Sequence, residues 1–259
     1  MLSTIKKIVP AGLKEHLRAG IYFIIKPPDN SPDKAYKKSS YSQAGEDIIL
    51  TYFFNSMGIK NPSYLDIGAN HPISGSNTYI FYETGSTGVC VEADPSLFDE
   101  LAKVRKNDKC LNVGVTFDDR READFYVFPL AGLNTLSKEE AEYREKHGSY
   151  KVEKVIKIPL MTINEVIEEN FDKTPDLISV DVEGLDLEIL QSLDFDKYRP
   201  LVICTETITY SEDRKERKIP EISDFLISKG YFVYADTHIN TIFVEKERFT
   251  DPNITVKLW

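Results

Sequence analysis

The chain of 259 residues carries 32 Lys and Arg against 42 Asp and Glu, a net charge of −10, and is 41% hydrophobic with 13 Gly and 13 Pro. Apolar content this high, with so little Gly and Pro, excludes a disordered or collagen-like chain, and the length supports a full core in one large α/β domain. The acidic balance argues against a nucleic-acid binder, which needs a basic surface to neutralise phosphates.

Cys90, Cys110 and Cys204 are odd in number, far apart, and each set in an apolar run. That pattern reads as buried thiols in a reducing compartment, so the cytoplasm is expected. No apolar stretch is long enough to span a membrane.

Residues 1–40 read as an arm. Lys6, Lys7, Lys14, Arg18 and Lys26 face one acid, Glu15, and Ile5, Ile8, Leu13, Leu17, Ile21 and Ile24 recur near helical spacing. Two readings fit. One is a basic amphipathic segment making peripheral contact with an anionic membrane. The other is a helix packed on the domain or on a second subunit of a homo-oligomer. Pro27, Pro28 and Pro32 then mark a linker.

From residue 41 to 259 strand and helix alternate. A helix is predicted over Gln43–Met57, with Glu46 and Asp47 in its first turn. Strands follow at Ser63–Gly68, Gly88–Glu92, Cys110–Val115, Leu177–Val182 and Leu201–Thr205. Helices are expected over Thr78–Thr84, Pro95–Arg105, Leu185–Leu193 and Glu221–Lys229. Tyr231–Ala235 and Thr241–Glu245, joined by a polar turn, close the chain as an antiparallel pair. This order predicts a doubly wound, mainly parallel, seven-stranded sheet with an antiparallel C-terminal pair. An insertion occupies about residues 116–175. Within it Phe125–Phe128 and Lys151–Ile158 look like extra strands, and the charged stretch Gly132–Tyr150 reads as a mobile lid. Thr162 and Glu165 form a capping box for a helix to about Asn170.

In such sheets ligands sit beyond the carboxyl ends of the strands, so polar residues there are candidates. The first motif is Asp66-Ile67-Gly68-Ala69-Asn70, an acid delivered by a strand into a glycine turn. It lacks the glycines that seat a pyrophosphate. An acid here suits a cationic amine, such as the one on the amino-acid tail of S-adenosylmethionine (SAM). The second is Glu92-Ala93-Asp94-Pro95. Lying roughly 20 residues beyond the turn, Glu92 can accept both ribose hydroxyls, while Asp94 can cap the next helix. The third is Asp181-Val182-Glu183-Gly184, a buried strand ending in two acids, with Glu206 after the next strand. These acids can serve as a general base or as a helix cap. Asp181 and Glu206 can instead chelate a divalent ion such as Mg²⁺. His238 is a further base candidate, and His71 is a candidate for acceptor contact or a plain surface residue.

Together with Tyr41-Ser42-Gln43-Ala44-Gly45-Glu46-Asp47 and Ser76-Asn77-Thr78, these motifs resemble the FkbM family of SAM-dependent methyltransferases over about residues 41–246. The resemblance implies the SAM-methyltransferase fold and methyl transfer to a hydroxyl of a sugar, glycan or other natural product. The cofactor set is then expected to include Gln43, Asp66, Gly68, Ala69, Asn70, Asn77, Glu92, Ala93 and Asp94, with Asn112, Val113 and Gly114 against the adenine. Asp181, Glu183, Glu206 and His238 are the expected catalytic residues. Two rivals stand beside this reading. A nicotinamide oxidoreductase needs dinucleotide glycines that are missing, and a scaffold protein would keep the fold without catalysis.

Overall fold

A computed structural model describes residues 37–211 and 215–251. The amphipathic arm and most of its linker lie outside the described residues.

The chain after Ser40 opens with helix α1 (Glu46–Ser56). It starts later than predicted because Gly45 has a left-handed backbone, φ 93°. Its two first-turn acids are buried and fully used. Asp47 accepts from the Ser40 and Ser42 hydroxyls and the Tyr41 amide, and Glu46 accepts from Ala44, Thr237 and Asn240. The domain entrance is therefore tied to the last hairpin by buried carboxylates.

The alternation continues through β1 (Tyr64–Ile67), α2 (Tyr79–Glu83), β2 (Gly88–Val91), α3 (Pro95–Val104), β3 (Lys109–Leu111) and β4 (Gly114–Thr116). Next come β5 (Glu122–Val127), α4 (Lys138–His147), β6 (Lys154–Thr162), α5 (Ile163–Asn170), β7 (Leu177–Val180) and α6 (Asp186–Ser192). The order closes with β8 (Val202–Glu206), α7 (Pro220–Ser228), β9 (Tyr231–Asp236), β10 (Asn240–Glu245) and α8 (Lys246–Phe249). The main sheet has seven strands in the order β3-β2-β1-β7-β8-β10-β9. All pairs from β3 to β8 are parallel, and β10 runs antiparallel to both β8 and β9. The predicted fold class is observed.

Each face of the sheet buries one apolar layer, because side chains alternate along the strands. Leu65, Ile67, Val89, Val91, Ile178, Val180 and Ile203 pack with α5, α6 and α7. Tyr64, Cys90, Leu177, Val202, Cys204 and Ile242 pack with α1, Phe81 and Leu101. Cys90 and Cys204 are buried and Cys110 is half-buried; all three thiols are free. Among the described residues no helix is long and apolar enough to cross a membrane.

One expectation needs correction, and one stretch holds an element the sequence reading did not assign. The predicted strand Cys110–Val115 is two strands in different sheets, because the Asn112 amide donates to the carbonyls of Glu92 and Ala93 and turns the chain away. β4 joins a second sheet, ordered β4-β6-β5. The charged stretch Gly132–Tyr150 contains α4, capped by Ser137 on the Glu140 amide. The capping box at Thr162 and Glu165 forms as expected at the start of α5.

Candidate active site

The strand order reverses direction between β1 and β7, and a cavity of about 380 Å³ opens there beyond their carboxyl ends. Its floor is the turn after β1. Gly68 has φ 79°, and a Cβ at that position would lie 1.8 Å from the Asp181 carbonyl oxygen. Only glycine fits where the two strand ends pass this closely. The Gly68 and Ala69 amides both donate to the Val91 carbonyl, each at 3.0 Å.

Glu92 joins this turn to the next. One carboxyl oxygen accepts from the Asn70 amide at 2.8 Å and the other from the Asp94 amide at 2.7 Å. Burial pushes its pKa up to about 7, against the pull of those two amides. Asp94 is turned to α3, capping Ser96, and accepts from Asn134 at 2.9 Å. Neither Asp94 nor Asn112 lines the cavity; both brace its wall. Ala93, Val113 and Gly114 line it, and Gly114 sits tightly against Leu136, Leu160 and Ile158.

At the other end Asp66 accepts from Thr78 Oγ1 at 2.6 Å. Burial raises its pKa, opposed by the Thr78 hydrogen bond and the Arg105 charge. Asn77 Nδ2 donates to Ser179 Oγ at 3.2 Å. Asn77 Oδ1 is buried and has no partner among the described residues. Gln43 reaches the rim because Gly75 donates to the Tyr41 carbonyl.

Sequence reasoning missed Arg105, 1% exposed, which locks the loop beneath these residues. It donates to the Pro72 carbonyl, Tyr64 Oη, Asp108, Ser76 Oγ and Thr78 Oγ1. It belongs to no local motif; the fold gathers its partners from three elements. The insertion contributes Phe125, Gly132, Asn134 and Leu136 to the cavity wall, which the motif pattern also missed.

Asp181 and Glu183 line this cavity, whereas Glu206 lines a second one of about 230 Å³. The acids are close enough to act on one another. Burial, then Glu183, Asp186 and Asp66, hold Asp181 well above the usual carboxylate range. Burial, then Asp181, Glu183 and Asp186, push Glu206 to about 10. Burial lifts Glu183 to about 7 although Arg144 pulls it down. Arg144 Nη2 meets Glu183 at 2.6 Å and its Nε meets Glu140 at 2.8 Å. Glu183 itself has a left-handed backbone, φ 59°, fixed by Thr135 Oγ1 donating to its carbonyl. Such strain in a non-glycine residue needs surrounding structure to hold it, and it concentrates at working sites. Local signs of this element are the Ser137-x-x-Glu140 spacing of a helix N-cap and an Arg four residues after Glu140.

His238 is not brought to this cluster. It is 64% exposed, bonds Glu216 at 3.1 Å, and lines neither cavity. His71 is also outside, accepting from the Ile73 and Ser74 amides. Asp181 and Glu206, the pair expected to chelate a metal, line different cavities. Among the described residues no group of three or more His, Cys, Asp or Glu is placed to hold an ion. Burial raises the pKa of both carboxyls, and a bound cation would act in the opposite sense by favouring their ionised forms.

The donor set does fit SAM. Asp66 and the orphaned Asn77 Oδ1 offer acceptors for an ammonium, Glu92 offers acceptors for a ribose, and the glycine turn leaves backbone room.

Residues 66–233 match the Methyltransferase FkbM domain, and the chain belongs to that family. No curated protein matches in sequence. Solved structures of similar fold include an O-methyltransferase from Bacillus cereus in complex with SAH, at 14% identity, covering 95% of this chain and 96% of that one, TM-score 0.40. A TehB-like SAM-dependent methyltransferase from Corynebacterium glutamicum shares 10% identity over 83% of this chain and 92% of that one, TM-score 0.40. The Methanococcus jannaschii fibrillarin pre-rRNA processing protein shares 12% identity over 72% and 68%, TM-score 0.39.

Proposed function

We propose that the chain is a SAM-dependent O-methyltransferase acting on a carbohydrate-like hydroxyl. The observation that carries this reading is the acid cluster lying between two cavities. Asp181 and Glu183 face the larger cavity, Glu206 faces the smaller one, and the negative charges of Asp181 and Glu183 help to raise the pKa of Glu206. Asp66, Asn77 and Glu92 would hold SAM in the larger cavity, with Val113 and Gly114 beside the adenine. When bound, SAM supplies a methyl group already activated on a sulfonium.

The protein then has two tasks. It must hold an acceptor oxygen in line with the methyl group, and it must take the hydroxyl proton. Glu183 suits the second task, because a carboxylate near pKa 7 is partly ionised at neutrality and still basic. Glu206, raised to about 10, carries a proton at neutrality and can donate to an acceptor oxygen or accept from it, and burial shifts Asp181 in the same direction. Carboxyls favour a neutral polyol, and the net charge of −10 disfavours polyanionic acceptors such as RNA.

The test is tritiated methyl transfer from SAM to a panel of neutral glycosides and macrolide alcohols. Label in the acceptor, lost in Glu183→Gln, supports the reading. Label appearing in RNA instead, or full turnover by Glu183→Gln, overturns it.

A further inference from the structure

The smaller cavity has a built polar feature that the acids alone do not explain. Arg144 is 2% exposed and lies on α4, within the insertion. It lines this cavity beside Glu206, Asp186 and Tyr210. Its Nε and Nη2 are bound to Glu140 and Glu183, and its guanidinium lies 4.9 Å from the centre of the Tyr210 ring. Its Nη1 is buried with no hydrogen-bond partner among the described residues. A buried guanidinium N–H left unpaired is costly unless something else completes it. Resting on the methyltransferase reading above, we propose that the 230 Å³ cavity is the acceptor site and that Arg144 Nη1 donates to an oxygen of a neutral polyol.

Charge decides the class of ligand. Two carboxyls, Glu140 and Glu183, already match the single charge of Arg144, so Nη1 offers a directed hydrogen bond and no net attraction for an anion. Glu188 and Asp186 also line the cavity and oppose an anionic ligand. With its pKa pushed to about 10, Glu206 carries a proton at neutrality and can both donate and accept. Adjacent hydroxyls answer this set: one accepts from Arg144, and its neighbour exchanges hydrogen bonds with Glu206. Arg144 is then a positioning and specificity residue. It also couples the bound acceptor to Glu183 through a single side chain.

Saturation-transfer NMR on the full chain loaded with SAH tests this directly. The probes are the methyl glycosides of glucose, mannose and rhamnose, with glucuronic acid and glucosamine as charged counterparts. Two variants are compared with wild type. Arg144→Lys keeps the charge beside Glu140 and Glu183 but loses the fork of donors. Thr209→Trp fills the cavity from an exposed position and leaves the buried acids untouched. The expected result is a signal from at least one neutral glycoside that falls at least about tenfold in both variants, with SAH affinity unchanged. Equal glycoside signals in all three proteins would overturn the site. A signal confined to the charged sugars, or none from any glycoside, would overturn the ligand class. Failure of wild type to bind SAH would overturn the methyltransferase reading instead, and the glycoside comparison would still decide the cavity.

Discussion

Arg105 and Arg144 are both almost fully buried, and each lies beside one of the two cavities. Arg105 has partners for every donor: a carbonyl, three hydroxyls and the Asp108 carboxylate. Arg144 has two carboxylates and one nitrogen without a partner among the described residues. The first network is complete in the protein alone and ties the loop between β1 and α2 to the end of α3. The second is complete only with a further oxygen. A half-satisfied buried network is costly for stability, so its persistence points to use. The side proposed to hold the cofactor is preorganised, and the side proposed to hold the acceptor is left open by one hydrogen bond.

The largest expected effect breaks the finished network. Arg105→Met removes the cation beside the buried Asp108, which keeps its bonds from Tyr64 Oη and the Gly88 amide, and weakens the support of Asp66; losing one partner of a buried pair costs about 3–5 kcal/mol. Chemical denaturation should show that loss. A change under about 1 kcal/mol would mean that the network is not structural. On the other side, Glu183→Gln should lower kcat about 10²–10⁴-fold with SAM affinity within about twofold. A parallel loss of SAM affinity would place Glu183 in the cofactor site.

Two pH measurements sharpen the contrast. Burial lifts Glu92 to about 7, and ribose hydroxyls donate more strongly to its ionised form, in which both oxygens accept. SAM affinity should therefore strengthen as pH rises through 7 and weaken below it. Glu92→Gln should flatten that part of the profile, and an unchanged profile would remove the ribose assignment. The sign for Glu206 is opposite in kind, because it concerns stability. Its folded pKa, about 10, lies far above that of an unfolded glutamate, about 4.3. The folded state holds the extra proton, so stability is lost as pH rises between those values. Glu206→Gln should raise Tm at pH 8 and leave it unchanged near pH 4. Equal Tm values at both pH values would contradict the burial of this carboxyl. The smallest effect is local: Thr162→Ala removes the cap of α5 and should cost about 1 kcal/mol.

How much was legible in the sequence follows the same division. The strands of the main sheet were readable because short apolar runs end in glycine or acid turns. Asp66, Gly68 and Glu92 stood out because each directly follows or ends such a run. α4 was hidden because its buried face is Ala141 and Arg144 rather than an apolar stripe, so helical periodicity gives no signal. The break after Leu111 was hidden because it depends on a side-chain amide reaching two carbonyls of another turn. Arg105, Arg144 and Tyr210 acquire roles only through tertiary contacts, which no local spacing encodes. His238 was a reasonable base by residue type, but its loop places it against Glu216 on the surface.

The most direct test of the account is calorimetric titration of SAM into the full chain and two variants. The account predicts that wild type binds, that Glu92→Ala weakens binding at least about tenfold, and that Arg144→Lys leaves it unchanged. Wild type failing to bind SAM, or Glu92→Ala binding as tightly as wild type, would contradict it.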